Sequence, residues 1–177
     1  MSEHKTAQQR ALSIKLAVFD VDGVMTDGRL YFGDDGQEFK AFHSLDGHGL
    51  KMLKQSGVAL AIITGRTSQV VIHRARNLGI ELLYQGVSDK STAFREVLAQ
   101  TGLDATQVAY MGDDVVDLPV MLHCGLAITV PEAPEIVVQS AHWVTTRTGG
   151  MGAVREACEL IMRAQGSYER LLAHYLQ

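Results

Sequence analysis

The chain has 177 residues, 46% of them apolar, and a formal net charge of −4. That length suits one ordinary domain, residues 1–177, with a sizeable core. The acidic balance argues against a nucleic-acid partner, which asks for a basic face, and no apolar run approaches the ~18 residues of a membrane span.

The N-terminal stretch MSEHKTAQQR is polar and lacks the apolar core of a secretory signal. Residues 1–13 read as a loose or helical leader. Lys15–Val21 is a short apolar run with β-branched members, the mark of a buried strand. From Gly28 to Phe42 the pattern alternates on either side of Gly33-Asp34-Asp35-Gly36, which predicts a β-hairpin. A helix follows, stopped by Gly57. Val58–Thr64 predicts a second buried strand and Thr67–Leu78 a helix ending at Gly79. Glu81–Gly86 is a third strand. Ser88–Gln100 is a helix with Ser88 at its N-cap. Gln107–Gly112 is a fourth strand, Val115–His123 a helix, Gly125–Val130 a fifth strand and Glu132–Gln139 a short helix. His142–Thr146 is a sixth strand, and Met151–Gln165 the last long helix. Cys124 and Cys158 sit far apart in apolar helical patterns, as reduced core thiols do. A cytoplasmic protein is the expectation.

Strands that alternate with helices predict an α/β fold: a Rossmann-like parallel sheet with helices on both faces, carrying a β-hairpin insertion after its first strand. Ligands of such sheets bind beyond the carboxyl ends of the strands. The polar residues gather there. Asp20 and Asp22 close strand one, Thr64-Gly65-Arg66 closes strand two, and Gly112-Asp113-Asp114 closes strand four. If the first strand stays extended, Asp20 and Asp22 point to one side. With Asp113 they would repel one another unless a cation sat between them. Oxygen-only ligands favour a hard ion, Mg²⁺ first. A metal beside a nucleophilic carboxylate suits phosphoryl transfer, with a second acid serving the leaving oxygen. Thr64 and Gly65 can supply donors to phosphate oxygens at a helix N-terminus. Lys90 opposes the dipole of the helix it begins, so it is read as the cation that draws the negative groups together.

Asp20-Val21-Asp22-Gly23-Val24, then Thr64-Gly65-Arg66, then Ser88-Asp89-Lys90, then Gly112-Asp113-Asp114 with Asp117, resemble the four ordered motifs of the haloacid dehalogenase-like hydrolases. Longer stretches, from DGVMTDGRLYF to GGMGAVREACELIMRAQG, resemble the capless branch that acts on 3-deoxy-D-manno-octulosonate 8-phosphate. The resemblance covers nearly the whole chain. It implies Mg²⁺-dependent hydrolysis of a phosphorylated acidic sugar through an aspartyl phosphate, in lipopolysaccharide precursor synthesis. It implies that Asp20 is the nucleophile and Asp22 the general acid/base. Mg²⁺ would be held by Asp20, Asp113 and the main-chain carbonyl of Asp22. Thr64, Gly65 and Lys90 would bind the phosphate. His43, Ser44, Leu45, Asp46, Gly47 and Lys51 look like part of the substrate pocket. Arg66 and Arg74 are the candidates for the sugar carboxylate, since a guanidinium pairs with it bidentately. Asp114 and Asp117 would support the metal loop. A hairpin apolar on both faces is hard to bury within one subunit, so a homo-oligomer is expected, and the resemblance implies a homotetramer.

Other features have plainer readings. Asp27, Asp34 and Asp35 read as turn residues, and His48, His73, His123 and His142 as structural. Arg147–Gly152 lacks the Lys-Ser/Thr of a P-loop and reads as a turn at the pocket rim. A nine-carbon sialic-type phosphate is an alternative substrate. A non-catalytic domain binding phosphorylated ligands is the alternative of another class.

Overall fold

The structure is a computed structural model that describes residues 5–176; the first four positions of the expected leader lie outside the described residues. In chain order its strands are Leu16–Phe19 (β1), Tyr31–Phe32 (β2), Glu38–Phe39 (β3), Ala59–Ile63 (β4), Leu82–Tyr84 (β5), Val108–Met111 (β6), Leu126–Thr129 (β7) and Trp143–Val144 (β8). The helices are Ala7–Ala11 (α1), Ser44–Gln55 (α2), Gln69–Leu78 (α3), Lys90–Thr101 (α4), Leu118–Met121 (α5), Glu135–Ser140 (α6), Ala153–Ala164 (α7) and Tyr168–Leu172 (α8).

Every residue of β1 is apolar and buried, which places it at the centre of the sheet. It pairs in parallel with β4 on one side and β6 on the other. The six strands run in the order β5-β4-β1-β6-β7-β8, and all pairings are parallel. Strand alternation splits the core in two. Ala17, Phe19, Ile62, Met111 and Ile128 pack with residues of α1, α2, α3, α7 and α8. Leu16, Val18, Ile63, Tyr110 and Ala127 pack on the opposite face with residues of α4, α5 and α6. The expected parallel sheet with helices on both faces is therefore present.

Three local expectations change. The hairpin strands are two residues each, paired Tyr31 to Phe39 and Phe32 to Glu38, and they form a separate small sheet. Helix α4 is capped by Asp89, not Ser88: the Asp89 carboxylate accepts the Ser91 N–H at 3.0 Å, while Ser88 is left to face the cavity beside it. The segment expected as one helix over 115–123 begins as a 3₁₀ turn at Val115–Asp117 before α5. No helix among the described residues is long and apolar enough to cross a membrane.

Candidate active site

The order of the sheet reverses between β1 and β6: the chain leaves β1 toward β4 and β5, then returns to its other side. Such a switch point opens a crevice at the carboxyl strand ends. Asp20 follows β1 directly and Asp113 lies two residues beyond the end of β6, so both stand at that crevice. The Asp20 N–H donates to the Met111 carbonyl at 2.9 Å, which continues the pairing one step beyond the strand. The chain then turns sharply. The carbonyl of Val21 accepts the N–H groups of Val24, Met25 and Thr26. The extended course expected through Asp22 is thus replaced by a tight loop, yet Asp20 and Asp22 still line one cavity.

A buried lysine organises the cluster. The Lys90 ammonium donates to Asp20 Oδ2 at 2.7 Å and to Asp117 Oδ1 at 2.6 Å. It sits at the start of α4, where the dipole disfavours a cation, and the two carboxylates offset that. Burial alone would lower the Lys90 pKa, but Asp20 and Asp117 raise it overall. Asp117 is wholly buried and fully engaged. Its Oδ1 also accepts the Tyr110 hydroxyl at 2.6 Å, and its Oδ2 accepts the N–H groups of Asp113 and Asp114 at 3.0 and 3.1 Å. Asp117 therefore fixes both the lysine and the loop that carries Asp113. Thr129 anchors the same loop by donating to the Gly112 carbonyl at 2.7 Å. Asp114 starts the following turn by accepting the Val115 N–H.

Burial pushes the Asp20 carboxyl up to about 6, with Lys90 pulling down and Asp117 pushing further up. Asp113 is pushed up to about 7 by burial and by the charges of Asp20 and Asp117. Such crowding of carboxylates is what a cation relieves. Oxygens of Asp20, Asp113 and Asp117 lie within 4.8 Å of one another. Each oxygen of Asp117 already accepts two hydrogen bonds, whereas each oxygen of Asp20 accepts one, from the Val21 N–H and from Lys90, so Asp20 and Asp113 are the carboxylates with lone pairs left for a metal. The donor set is all oxygen and fits a hard cation. Gly23 makes room for it: the backbone has φ +88° there, and a Cβ would stand 2.0 Å from Asp113 Oδ2.

Asp22 is held from the hairpin side. Lys40 Nζ donates to Asp22 Oδ1 and also lies 3.3 Å from Glu38 Oε1. Arg66 Nη2 donates to the same Glu38 oxygen at 3.1 Å, its Nε is 4.0 Å from Asp22 Oδ2, and its guanidinium lies over the Phe32 ring. Neither Lys40 nor Glu38 is among the residues expected at the site. The alternation of Glu38, Phe39 and Lys40 is the signal that could have found them, since it puts the two charged residues on one side of the strand and the aromatic ring on the other.

The cavity is about 390 Å³ and is lined by Asp20, Asp22, Thr64, Gly65, Arg66, Ser88, Lys90, Asp113 and Asp114, with Gly28, Leu30, Val87 and Val116. Thr64 and Gly65 reach it from the loop after β4, not from a helix terminus as expected, because α3 begins only at Gln69. The other residues expected at the pocket lie apart from this cavity in the single chain. His43, Ser44, Leu45, Asp46, Gly47, Lys51 and Arg74 do not line this cavity. Asp46 is buried at the start of α2 and accepts the N–H groups of Gly152 and Arg155, at 3.3 and 2.8 Å, so it caps α7. Arg74 lies against Gly47, over the Phe42 ring, and donates to the His43 carbonyl at 3.2 Å. Leu45 faces a separate depression with Arg147, Arg155 and Glu159. Lys51 is exposed on α2. Asp46 thus ties α2 to α7, and the approach of Arg74 to Gly47 ties it to α3. The loop before α7 meets the turn that follows β1, the Gly150 N–H donating to the Val24 carbonyl at 3.0 Å.

Comparison with known proteins agrees with this arrangement. The haloacid dehalogenase-like hydrolase family pattern matches residues 80–156. The 3-deoxy-D-manno-octulosonate 8-phosphate phosphatase of Yersinia pestis is 49% identical over 161 residues, which is 91% of this chain and 86% of that one. A probable YrbI family phosphatase from Pseudomonas syringae pv. phaseolica superposes with a TM-score of 0.95 at 53% identity, covering 97% of both chains. The Moraxella catarrhalis 3-deoxy-D-manno-octulosonate 8-phosphate phosphatase, solved with magnesium, phosphate and KDO, superposes with a TM-score of 0.94 at 44% identity, covering 96% of this chain and 97% of that one. The chain belongs to the haloacid dehalogenase-like hydrolases, in the family of the 3-deoxy-D-manno-octulosonate 8-phosphate phosphatases.

Proposed function

We propose that this chain is a Mg²⁺-dependent phosphatase that hydrolyses 3-deoxy-D-manno-octulosonate 8-phosphate to the free sugar acid and phosphate. The observation that carries this reading is the pairing of Asp20 with Lys90 at 2.7 Å, with Asp22 and Asp113 on the same cavity. Near-half identity to the Yersinia pestis phosphatase along nine-tenths of the chain supports the choice of sugar.

An oxygen of Asp20 attacks phosphorus, and the bond from phosphorus to the sugar oxygen breaks. Asp22 gives that oxygen its proton. Asp22 then takes a proton from water as the water oxygen attacks the aspartyl phosphate, which frees phosphate and restores the Asp20 carboxylate. Lys90 and Thr64 hold the phosphate oxygens, and Arg66 is placed to meet the sugar carboxylate. Mg²⁺, held by the carboxylates of Asp20 and Asp113 and the carbonyl of Asp22, supplies positive charge that offsets the phosphate's own. Asp114 and Asp117 keep the Asp113 loop in place.

The assembly we propose is a homotetramer in the cytoplasm, each protomer a single domain. Exposure of Leu30, Tyr31, Phe32 and Phe39 on the hairpin supports the oligomer, and two free buried cysteines suit a reducing compartment. A panel of sugar phosphates assayed for phosphate release, with and without Mg²⁺, tests the reading. The eight-carbon acid phosphate should show the highest kcat/KM, and chelator should abolish turnover. A higher kcat/KM for a nine-carbon sialic-type phosphate would reassign the substrate.

A further inference from the structure

Lysine is among the side chains least often buried without a partner. Lys40 has a side chain only 1% exposed, although it leaves a hairpin whose aromatic residues face solvent. Its ammonium is engaged by two carboxylates, Asp22 at the cavity and Glu38 on the hairpin itself. Asp22 follows a tight loop in place of a strand, so the β1 ladder does not extend to its backbone. What holds its carboxylate comes from elsewhere in the chain: Lys40 after the hairpin by a hydrogen bond, and Arg66 after β4 at 4.0 Å. A buried ion pair adds little to stability alone, because desolvation consumes most of the Coulomb gain. Its use is better sought in orientation.

We propose that Lys40 is a positioning residue: it fixes the Asp22 carboxylate in the orientation from which a proton reaches the leaving sugar oxygen, and Glu38 in turn fixes Lys40. The hairpin then has a task within its own subunit, apart from any contact with a neighbour. This inference rests on the reading of Asp22 as the proton donor, and the test separates the two.

Four proteins are compared: wild type, Asp22→Asn, Lys40→Met and the double variant. Each is assayed with 3-deoxy-D-manno-octulosonate 8-phosphate, whose leaving oxygen needs a proton, and with p-nitrophenyl phosphate, whose leaving group does not. Asp22→Asn should lower kcat/KM for the sugar phosphate far more than for the aryl phosphate, since kcat/KM reports formation of the aspartyl phosphate and not the later attack of water that both substrates share. Equal damage would overturn the reading of Asp22 itself. Given that contrast, Lys40→Met should lower kcat/KM for the sugar phosphate by about tenfold to a hundredfold, the scale of a misplaced catalytic group. It should change the aryl phosphate by less than about threefold. The double variant should be no slower than Asp22→Asn, since the lysine acts through that carboxylate. Equal loss on both substrates, or full additivity, would overturn the role of Lys40 and leave it a structural ion pair. If Lys40→Met does not fold, Lys40→Arg keeps the charge on a differently shaped head. The same selective loss is then expected, and a uniform loss would overturn the proposal.

Discussion

Asp20 and Asp113 share a problem that fixes how the site responds to pH. Both carboxyls lie above their ordinary 3.8, Asp20 at about 6 and Asp113 at about 7, mainly because burial disfavours their charge. In the metal-free fold these groups hold protons that the unfolded chain has already released. Their contribution to stability therefore falls as pH rises through the folded pKa values. A cation reverses this by favouring the ionised forms, but it must displace protons at lower pH. The rise in Tm on adding Mg²⁺ should be several degrees near pH 8 and should shrink toward zero near pH 5. Scanning fluorimetry against pH checks this; a Mg²⁺ shift that is constant over the range would remove Asp20 and Asp113 as ligands.

Among the elements, α2 departs most from expectation. The sequence suggests its first turn as a wall of the pocket, and in the single chain Asp46 caps α7 across the interface between the two helices. The Gly152 at the start of α7 has no side chain with which to cap it, so a residue 106 positions earlier supplies the acceptor. Burial raises the Asp46 pKa, and its two N–H bonds offset that only in part. Asp46→Ala should cost about 1–2 kcal/mol, or roughly 2–8 °C in Tm, with KM little changed. A large rise in KM at unchanged Tm would return Asp46 to the pocket.

The same contrast explains which features are legible in the sequence. Asp20, Thr64, Lys90 and Asp113 follow strand ends or begin a helix, and period-2 and period-3.6 patterns locate those points well. Lys40 and Glu38 escape such a reading because alternation groups the two charges without naming their partners: Lys40 meets Asp22, 18 positions earlier, only in the folded chain, and Glu38 meets Lys40 and Arg66. For His43, Asp46 and Arg74 the pattern does not say which neighbour the N-terminus of α2 will face, so the contacts of Asp46 with α7 are not legible in it. Asp117 is expected near the metal loop and lies there, but its hydrogen bonds follow from a 3₁₀ turn where the periodicity suggests a helix.

For the whole molecule, the hairpin is the element that a lone subunit leaves unfinished. Phe32 is 58% and Phe39 54% exposed, and an isolated two-stranded unit is marginal in water. Association through hairpins would bury these rings and roof the open cavity against water. Charged replacements of Tyr31 and Phe32 should give smaller species by light scattering and lower activity, with every carboxylate of the site intact. A fully active wild-type monomer at micromolar concentration would contradict the proposed assembly.

The central claim is that Asp20 attacks phosphorus, and one substitution addresses it directly. Asp20→Asn keeps the size and much of the hydrogen-bonding capacity of the side chain but removes the attacking charge. Its kcat/KM for 3-deoxy-D-manno-octulosonate 8-phosphate in saturating Mg²⁺, with Tm measured alongside, is the decisive quantity. The account predicts a loss of about a thousandfold or more in a protein that still folds, since a covalent step disappears. Phosphate release within about tenfold of wild type would contradict it.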